Sequence, residues 1–421
     1  MKSKIAIIDG LRIPFQPSRG IYKNLMAYDL CRHTFDKLLE RNENIKNKID
    51  YVNVGTVIQE VKTSNIAREC AIGVGLSEKI SSHTISQACI SSSQAVANGA
   101  EKILTGQSNF VLSGGVETFS DVPIRYSKNM RSWLMDLPKE SKKGMINTIK
   151  YASKLKLKHL KPEPPAIANF TTGEVMGATS EKIAKRFNVT RQEQDEFSLR
   201  SHQMATDAHN RGDYENEICE YQGTKFEKGI RTNLQIQDLN KLKPSFDKEN
   251  GTHTAGNSSP LTDGATACIL SSIEKAKELD TKPLSFLKSW VFSATDPREE
   301  MLLGPAYAIP KLLTINNLTL NDIDVFEIHE AFAGQILANL KALDSDKFCI
   351  DNFNQNKFGE IPFDKLNLWG GSIAIGHPLG ASNIRNIITA SNRLKKEDGK
   401  LALIAACADG GLATAMLIER N

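Results

Sequence analysis

Short apolar runs, each followed by a stretch of helical spacing, recur along this chain, and that alternation restricts it to the α/β class. Residues 4–8 read as a strand. Residues 28–41 read as an amphipathic helix carrying Leu30, Phe35, Leu38 and Leu39. Residues 51–57 form a second apolar run. Residues 84–88 lead into a helix over 92–104, with Ala95, Val96, Ala97, Ala100, Ile103 and Leu104 at helical spacing. Residues 110–112 read as a strand ending in a turn at Ser113-Gly114-Gly115. The later chain resembles a second copy: a strand at 325–328, a helix from Glu330, a strand at 401–406, a turn at Gly410-Gly411 and a last strand at 413–418. Each half then places a cysteine at a strand end, Cys89 and Cys407, which suggests a tandem α/β pair, although no residue-level repeat is visible.

At 421 residues the chain is too long for one typical domain and suits two or three lobes. Hydrophobic residues at 40% and charged residues at 24% exclude disorder and collagen, and a net charge of +4 gives no reason to expect nucleic acid as a partner. The seven cysteines (Cys31, Cys70, Cys89, Cys219, Cys268, Cys349 and Cys407) are odd in number and form no CxxC pair. That argues against a disulfide scaffold or structural zinc and fits a reducing compartment. The apolar run after Lys4 is too short for a signal-peptide core, and the run at 401–408 is far short of a membrane span. A soluble protein is expected.

Charge is concentrated locally. Residues 125–162 hold eleven Lys/Arg and two Asp/Glu. Ile146, Ile149, Leu157 and Leu160 would line one face of a helix there, ringed by lysines, with Pro162, Pro164 and Pro165 ending it. Two readings stand: a solvated, partly buried lobe, or a surface that meets phosphates or anionic lipid.

Four segments carry chemistry. In Ser86-Gln87-Ala88-Cys89-Ile90-Ser91-Ser92-Ser93-Gln94 the thiol sits at a strand-to-helix turn, where the helix N-terminus lowers its pKa. Most cysteines are nonetheless small buried hydrophobes. In Gly376-His377-Pro378-Leu379-Gly380-Ala381-Ser382 a rigid turn can aim the His377 ring as a general base, or simply hold a turn histidine bonded to its own backbone. Cys407-Ala408-Asp409-Gly410-Gly411 lets backbone N–H groups approach a developing oxyanion. His329-Glu330-Ala331-Phe332-Ala333 puts a second histidine at a strand end and lacks the second histidine of a zincin helix; no spacing suggests a metal.

Together these segments resemble the thiolase family in order and separation, and the likeness runs essentially end to end. Gly251-Thr252, Ala255-Gly256-Asn257-Ser258-Ser259 and Asp263-Gly264-Ala265 resemble the family's CoA-binding segment. Ser86–Ser91, Asp121-Val122-Pro123-Ile124-Arg125, Met301-Leu302-Leu303-Gly304-Pro305 and His329, where many thiolases carry asparagine, resemble the long-chain 3-ketoacyl-CoA thiolases. These are the β subunits of trifunctional protein and of bacterial fatty-acid oxidation complexes. The resemblance implies two similar α/β domains in a layered αβαβα arrangement, with residues 1–124 and 247–283 in the first, 284–421 in the second, and 125–246 as an inserted loop domain.

It also implies that Cys89 is the nucleophile, His377 the base, Cys407 the acid, and that His329 helps hold the enolate. Backbone N–H groups of Cys89 and Asp409 would bind the acyl oxygen, while Ser259, Met176, Met301 and Phe332 would contact substrate or CoA. Coenzyme A is then a co-substrate and no cofactor is held permanently. The implied partners are a second copy of the chain, a hydratase/dehydrogenase α subunit and, through 125–162, a membrane surface; the expected location is cytoplasmic. Two positions depart from the family: Asp409 replaces Gly or Ala and is expected to point away from the site, and Asn383 replaces a glycine where the second long helix begins. The alternatives are an acetyl-CoA C-acetyltransferase making acetoacetyl-CoA, a decarboxylating ketosynthase (against which Cys407 argues), and a catalytically inactive thiolase-like binding protein.

Overall fold

The computed structural model describes residues 4–166 and 168–420. Twelve strands follow the chain: β1 Ile5–Arg12, β2 Gln16–Pro17, β3 Tyr51–Gly55, β4 Ser81–Ile85, β5 Phe110–Glu117, β6 Arg125–Tyr126, β7 Pro162–Glu163, β8 Thr262–Ser272, β9 Ser285–Ala294, β10 Val325–Ile328, β11 Leu401–Ala408 and β12 Leu412–Glu419. Ten of them share one sheet, in the order β10-β11-β12-β9-β1-β8-β5-β3-β4, with β2 on β8. β6 and β7 form a separate ribbon.

Two copies of one topology make this sheet. β3 runs parallel to β5, β5 antiparallel to β8 and β8 antiparallel to β1. β10, β11, β12 and β9 repeat the same three relations. A short antiparallel pairing of Ile5–Ile7 with Leu287–Ser285 joins the copies. The helices Ser91–Leu104 and Ser382–Lys396 lie between them. Val96, Ala97, Ala100, Ile384, Ile387 and Ile388 share a core with strand residues of both copies, such as Leu270 and Ile404. Outside, helix Ala27–Arg41 covers the first copy and helices Pro305–Asn316 and Ala333–Leu343 the second. This is the expected αβαβα stack.

The topology corrects the matching of the two cysteines. β11, which carries Cys407, is the counterpart of β5, whereas Cys89 precedes helix Ser91–Leu104. The counterpart of the Cys89 turn is therefore the His377–Ala381 turn, which precedes helix Ser382–Lys396. Pattern alone paired the residues by type rather than by position in the copy.

Three boundaries also differ. β5 does not stop at Ser113; it runs on to Glu117 through Gly114 and Gly115. A Cβ on Gly114 would lie 2.6 Å from the Phe35 ring, and one on Gly115 would lie 2.3 Å from the Gly380 carbonyl oxygen. These glycines permit close packing inside a strand rather than a turn. The helix expected from Glu330 starts at Ala333. The Glu330 carboxylate accepts from Ser201 Oγ (2.7 Å), Asn367 Nδ2 (2.7 Å) and Ile373 N (3.2 Å), and Phe332 is extended. The basic lobe does not form one amphipathic helix. Helix Met145–Ala152 is followed by a separate 3-10 turn, Leu157–Leu160, with Lys156 extended between them. Leu and Lys alternate with period two at 154–158, which opposes helical spacing. Ile146 is 83% and Leu157 87% exposed. No helix among the described residues is long and apolar enough to cross a membrane.

Candidate active site

The sequence between β4 and helix Ser91–Leu104 bends sharply. Ala88 takes a left-handed φ of 47°, costly for a residue with a side chain. Ser91 holds the bend: its Oγ donates to the Ala88 carbonyl (2.7 Å) and accepts from Gln87 N (2.8 Å). Cys89 then sits just ahead of the helix, 4% exposed, packed with Ile90 on Ala406 and Ala408 of β11. Asn383 donates Nδ2 to the Cys89 carbonyl at 2.8 Å and so fastens one middle helix to the other's N-terminal turn.

The sequence leads one to expect a lowered thiol pKa, and the structure gives the opposite direction. Burial pushes Cys89 up to about 12, and the nearby charges of Asp409 and Glu117 add to it. Hydrogen bonds from the N–H of Asp409 and of Cys89 itself oppose the rise without reversing it. Desolvation outweighs these backbone hydrogen bonds. The resting group is a thiol, so it needs a base.

His377 is the candidate for that base. Gly376, at φ 112°, lets the chain pass Thr262, whose Cγ2 would lie 2.5 Å from a Cβ there. Ser382 Oγ lies 2.7 Å from His377 Nδ1 and donates to the Pro378 carbonyl at 2.9 Å. That carbonyl can only accept, so the single hydroxyl proton goes there and Nδ1 carries its own hydrogen. Nε2 is therefore the bare nitrogen, and it is buried without a partner. Burial, helped by the Arg385 charge, lowers His377 to about 3, so the ring rests neutral.

His329 follows β10, with its N–H on the Ala405 carbonyl (2.9 Å). Its Nδ1 lies 3.0 Å from Ser372 Oγ, its Nε2 is also buried and unpartnered, and its ring centroid is 4.1 Å from that of His377. Burial holds it well below the ordinary imidazole value, with His377 and Arg385 contributing. Cys407, 1% exposed on β11, is pushed upward by burial and then by neighbouring Cys89. The structure thus sets His329 beside His377 and Cys89 beside Cys407, and Asn383, six residues after His377, is bonded to the Cys89 carbonyl.

The remaining predicted residues fall as follows. The Asp409 carboxylate accepts from Asn169 Nδ2 (3.2 Å) and Gly410 N (2.7 Å). Ser259 donates its N–H to the Ala331 carbonyl (3.0 Å), and Ala333 donates to the Asn257 carbonyl (2.9 Å), so the 255–259 segment lies against 331–333. The Phe332 ring lies 5.7 Å from Phe246 and 5.6 Å from His253. Met176 is half-buried at the start of helix Met176–Arg186. Met301 is wholly buried among Leu302, Leu303 and Cys407 in the second copy's core and reaches no open surface. A cavity of about 630 Å³ is lined by residues such as Asp9, Lys282 and Phe286 and by none of Cys89, His329, His377 and Cys407.

Sequence reasoning missed Glu117 and Ser382. Glu117, wholly buried at the end of β5, accepts from Ile58 N (2.9 Å), Val57 N (3.1 Å), Gly380 N (3.1 Å) and Thr56 Oγ1 (3.3 Å). Burial lifts it to about 7 against these bonds. It ties the His377 turn to the end of β3. The available signals were a carboxylate closing an otherwise apolar strand, and a serine five residues after a turn histidine.

Comparison with known proteins agrees with this geometry. The family models described as "Thiolase, N-terminal domain" and "Thiolase, C-terminal domain" match residues 5–274 and 281–420. The chain is 46% identical to the mitochondrial trifunctional enzyme subunit beta of Mus musculus, covering 99% of this chain and 88% of the mouse protein. It is 46% identical to a probable 3-ketoacyl-CoA thiolase of Caenorhabditis elegans, over 99% and 94% of the two chains. A crystal structure of human mitochondrial 3-ketoacyl-CoA thiolase in complex with CoA superposes with a TM-score of 0.85 at 28% identity, over 100% of this chain and 98% of that one. Built from two copies of one α/β unit around paired cysteines and histidines, the chain belongs to the thiolase family.

Proposed function

We propose that the chain is a degradative 3-ketoacyl-CoA thiolase, which uses CoA to cleave a 3-ketoacyl-CoA into acetyl-CoA and a shortened acyl-CoA in fatty-acid β-oxidation. The observation that carries this reading is a buried, neutral His377 against His329, together with two neighbouring buried thiols from different copies, Cys89 ahead of helix Ser91–Leu104 and Cys407 on β11. The names of relatives at 46% identity support the same substrate class.

In this reading the Cys89 sulfur attacks the 3-keto carbon as His377 Nε2 takes the thiol proton. The N–H groups of Cys89 and Asp409 receive the charge on the former keto oxygen. The carbon–carbon bond then breaks, leaving an acyl group on Cys89 and an acetyl-CoA enolate. His377, now protonated, and His329, through a water, donate to the thioester oxygen of that enolate. Cys407 gives its proton to the enolate carbon. His377 passes its proton to the Cys407 thiolate and, neutral again, deprotonates the incoming CoA thiol, whose sulfur takes the acyl group from Cys89, and the released Cys89 thiolate regains that proton from His377. Ser259, Met176 and Phe332 are assigned to substrate and CoA contact, and Met301 to the wall behind Cys407. Residues 1–124 with 247–283, 125–246 and 284–421 are assigned as the three domains.

A second copy of the chain is the proposed partner at β4. That strand ends the sheet, is half-exposed and carries no charge in Ser81-Ser82-His83-Thr84-Ile85. The name of the mouse relative supports an α subunit as a further partner. Exposed Tyr126, Met135, Met145, Ile146 and Leu157 among the lysines of 125–162 support peripheral contact with an anionic membrane, on its cytoplasmic side. The test of function is CoA-dependent loss of the enolate absorbance of 3-ketohexadecanoyl-CoA beside that of acetoacetyl-CoA. Preference for the long substrate is expected. Turnover of acetoacetyl-CoA alone would replace this reading with an acetyltransferase, and no turnover of either with a non-catalytic protein.

A further inference from the structure

Asp409 presents two opposite electrical faces to the site. Its backbone N–H favours negative charge on the Cys89 sulfur, while its carboxylate raises the thiol's proton affinity. A carboxylate free to turn inward would repel both a thiolate and an acyl oxyanion in this buried setting. What holds it is Asn169, 240 residues earlier in the chain, in the loop ahead of helix Met176–Arg186.

The orientation of the Asn169 amide is fixed by its surroundings. Oδ1 accepts from Thr171 N (3.2 Å), Thr172 N (3.1 Å) and Thr172 Oγ1 (3.1 Å). The main chain of the same residue is closed by Asn169 N to the Glu174 carbonyl (2.8 Å) and by Gly173 N to the Asn169 carbonyl (2.8 Å). With the acceptor end consumed by three donors, the NH2 group is the end that faces Asp409 Oδ1. Gly410 N donates to the same oxygen, so the carboxylate is held from both sides.

We propose that Asn169 is a positioning residue that clamps the Asp409 carboxylate against the 169–175 loop, leaving the Asp409 N–H to face the charge formed at Cys89. The inference rests on the thiolase reading of the site. It makes the loop part of the oxyanion machinery, because the N–H is useful only while the carboxylate is turned away.

The test compares the full chain with Asn169→Ala, Asp409→Ala and the double variant. Two readouts are taken: the rate of Cys89 alkylation by iodoacetamide, followed by peptide mass spectrometry, and kcat and KM for thiolysis of 3-ketohexadecanoyl-CoA. Asn169→Ala should slow Cys89 alkylation and lower kcat by roughly tenfold, the scale of one hydrogen bond to a charged group, with KM changed less than about twofold. In the Asp409→Ala background the same substitution should change each rate less than about twofold. Equal losses in both backgrounds would overturn the proposal and make Asn169 a holder of its own loop; no loss in the first would show the contact to be idle. Asn169→Ser, which keeps a turn-forming oxygen but falls short of Asp409, must behave like Asn169→Ala. Alkylation needs no turnover, so it decides the role of Asn169 even where absent thiolysis sinks the proposed function.

Discussion

The rings of His329 and His377 lie 4.1 Å apart, centroid to centroid, and each buries an Nε2 that no protein atom satisfies. Two such orphaned nitrogens side by side are costly to retain unless a ligand or a water completes them. Nδ1 of His377 is bound to Ser382, which sets the tautomer. Ser382→Ala should therefore lower kcat about tenfold with KM little changed, by releasing the ring, whereas His377→Ala should lose on the order of a hundredfold or more. Steady-state kinetics on both variants check this. A Ser382→Ala enzyme with wild-type kcat would mean that the ring is held by packing alone.

The two thiols should separate by step. Cys89→Ala should abolish acyl-enzyme formation, read as the mass increment on the intact protein after incubation with an acyl-CoA. Cys407→Ser should leave that increment in place while slowing exchange of the acetyl-CoA α-protons with deuterated solvent. Loss of both signals in Cys407→Ser would reduce Cys407 to a structural residue.

Glu117 predicts a pH effect of definite sign. Its folded value, about 7, lies above the ordinary 4.5, so the native state binds that proton more tightly than the unfolded chain. Its contribution to stability is present below about 4.5 and declines as pH rises to about 7, by on the order of 3 kcal/mol. Glu117→Gln lacks this decline, so its stability deficit in urea should be larger at pH 5 than at pH 8. Equal deficits would mean that the carboxyl is ionised across the whole range.

Neighbouring glycines in β5 should fail in different ways. Gly114→Ala meets the Phe35 ring, which must shift inside the core, and should cost about 1–3 kcal/mol with kcat largely kept. Gly115→Ala meets the backbone oxygen of Gly380 and should displace the turn bearing His377. Its kcat should fall at least tenfold, the scale expected when reacting groups are displaced by an ångström. Urea midpoints and kcat measured together separate the two.

Much of this architecture was legible locally because strands and helices write different periods. Helix Ala27–Arg41 and strands β10 and β11 lie within a few residues of where apolar spacing put them. The order of strands was not legible, since β1 and β8 pair across some 250 residues and no local pattern encodes that contact. Gly114 and Gly115 misled because a glycine under a phenylalanine ring looks, in sequence, like a glycine in a turn. The motif segments brought Cys89, His329, His377 and Cys407 to notice, but the direction of the Cys89 shift depends on burial, which the turn sequence does not reveal. Ser382, Glu117 and Asn169 are single polar residues whose importance lies wholly in what they touch.

The equivalence of the Cys89 and His377 turns has a consequence for symmetry. If the two α/β units were separate identical chains, equivalent turns would carry the same side chain, either two thiols or two imidazoles. Neither pair supplies a nucleophile together with a base. Covalent linkage of the copies removes that restriction, so one helix N-terminus offers sulfur and the other nitrogen across a single seam. In the proposed mechanism the chemistry thus depends on broken twofold symmetry, and neither unit alone contains both the Cys89 nucleophile and the His377 base.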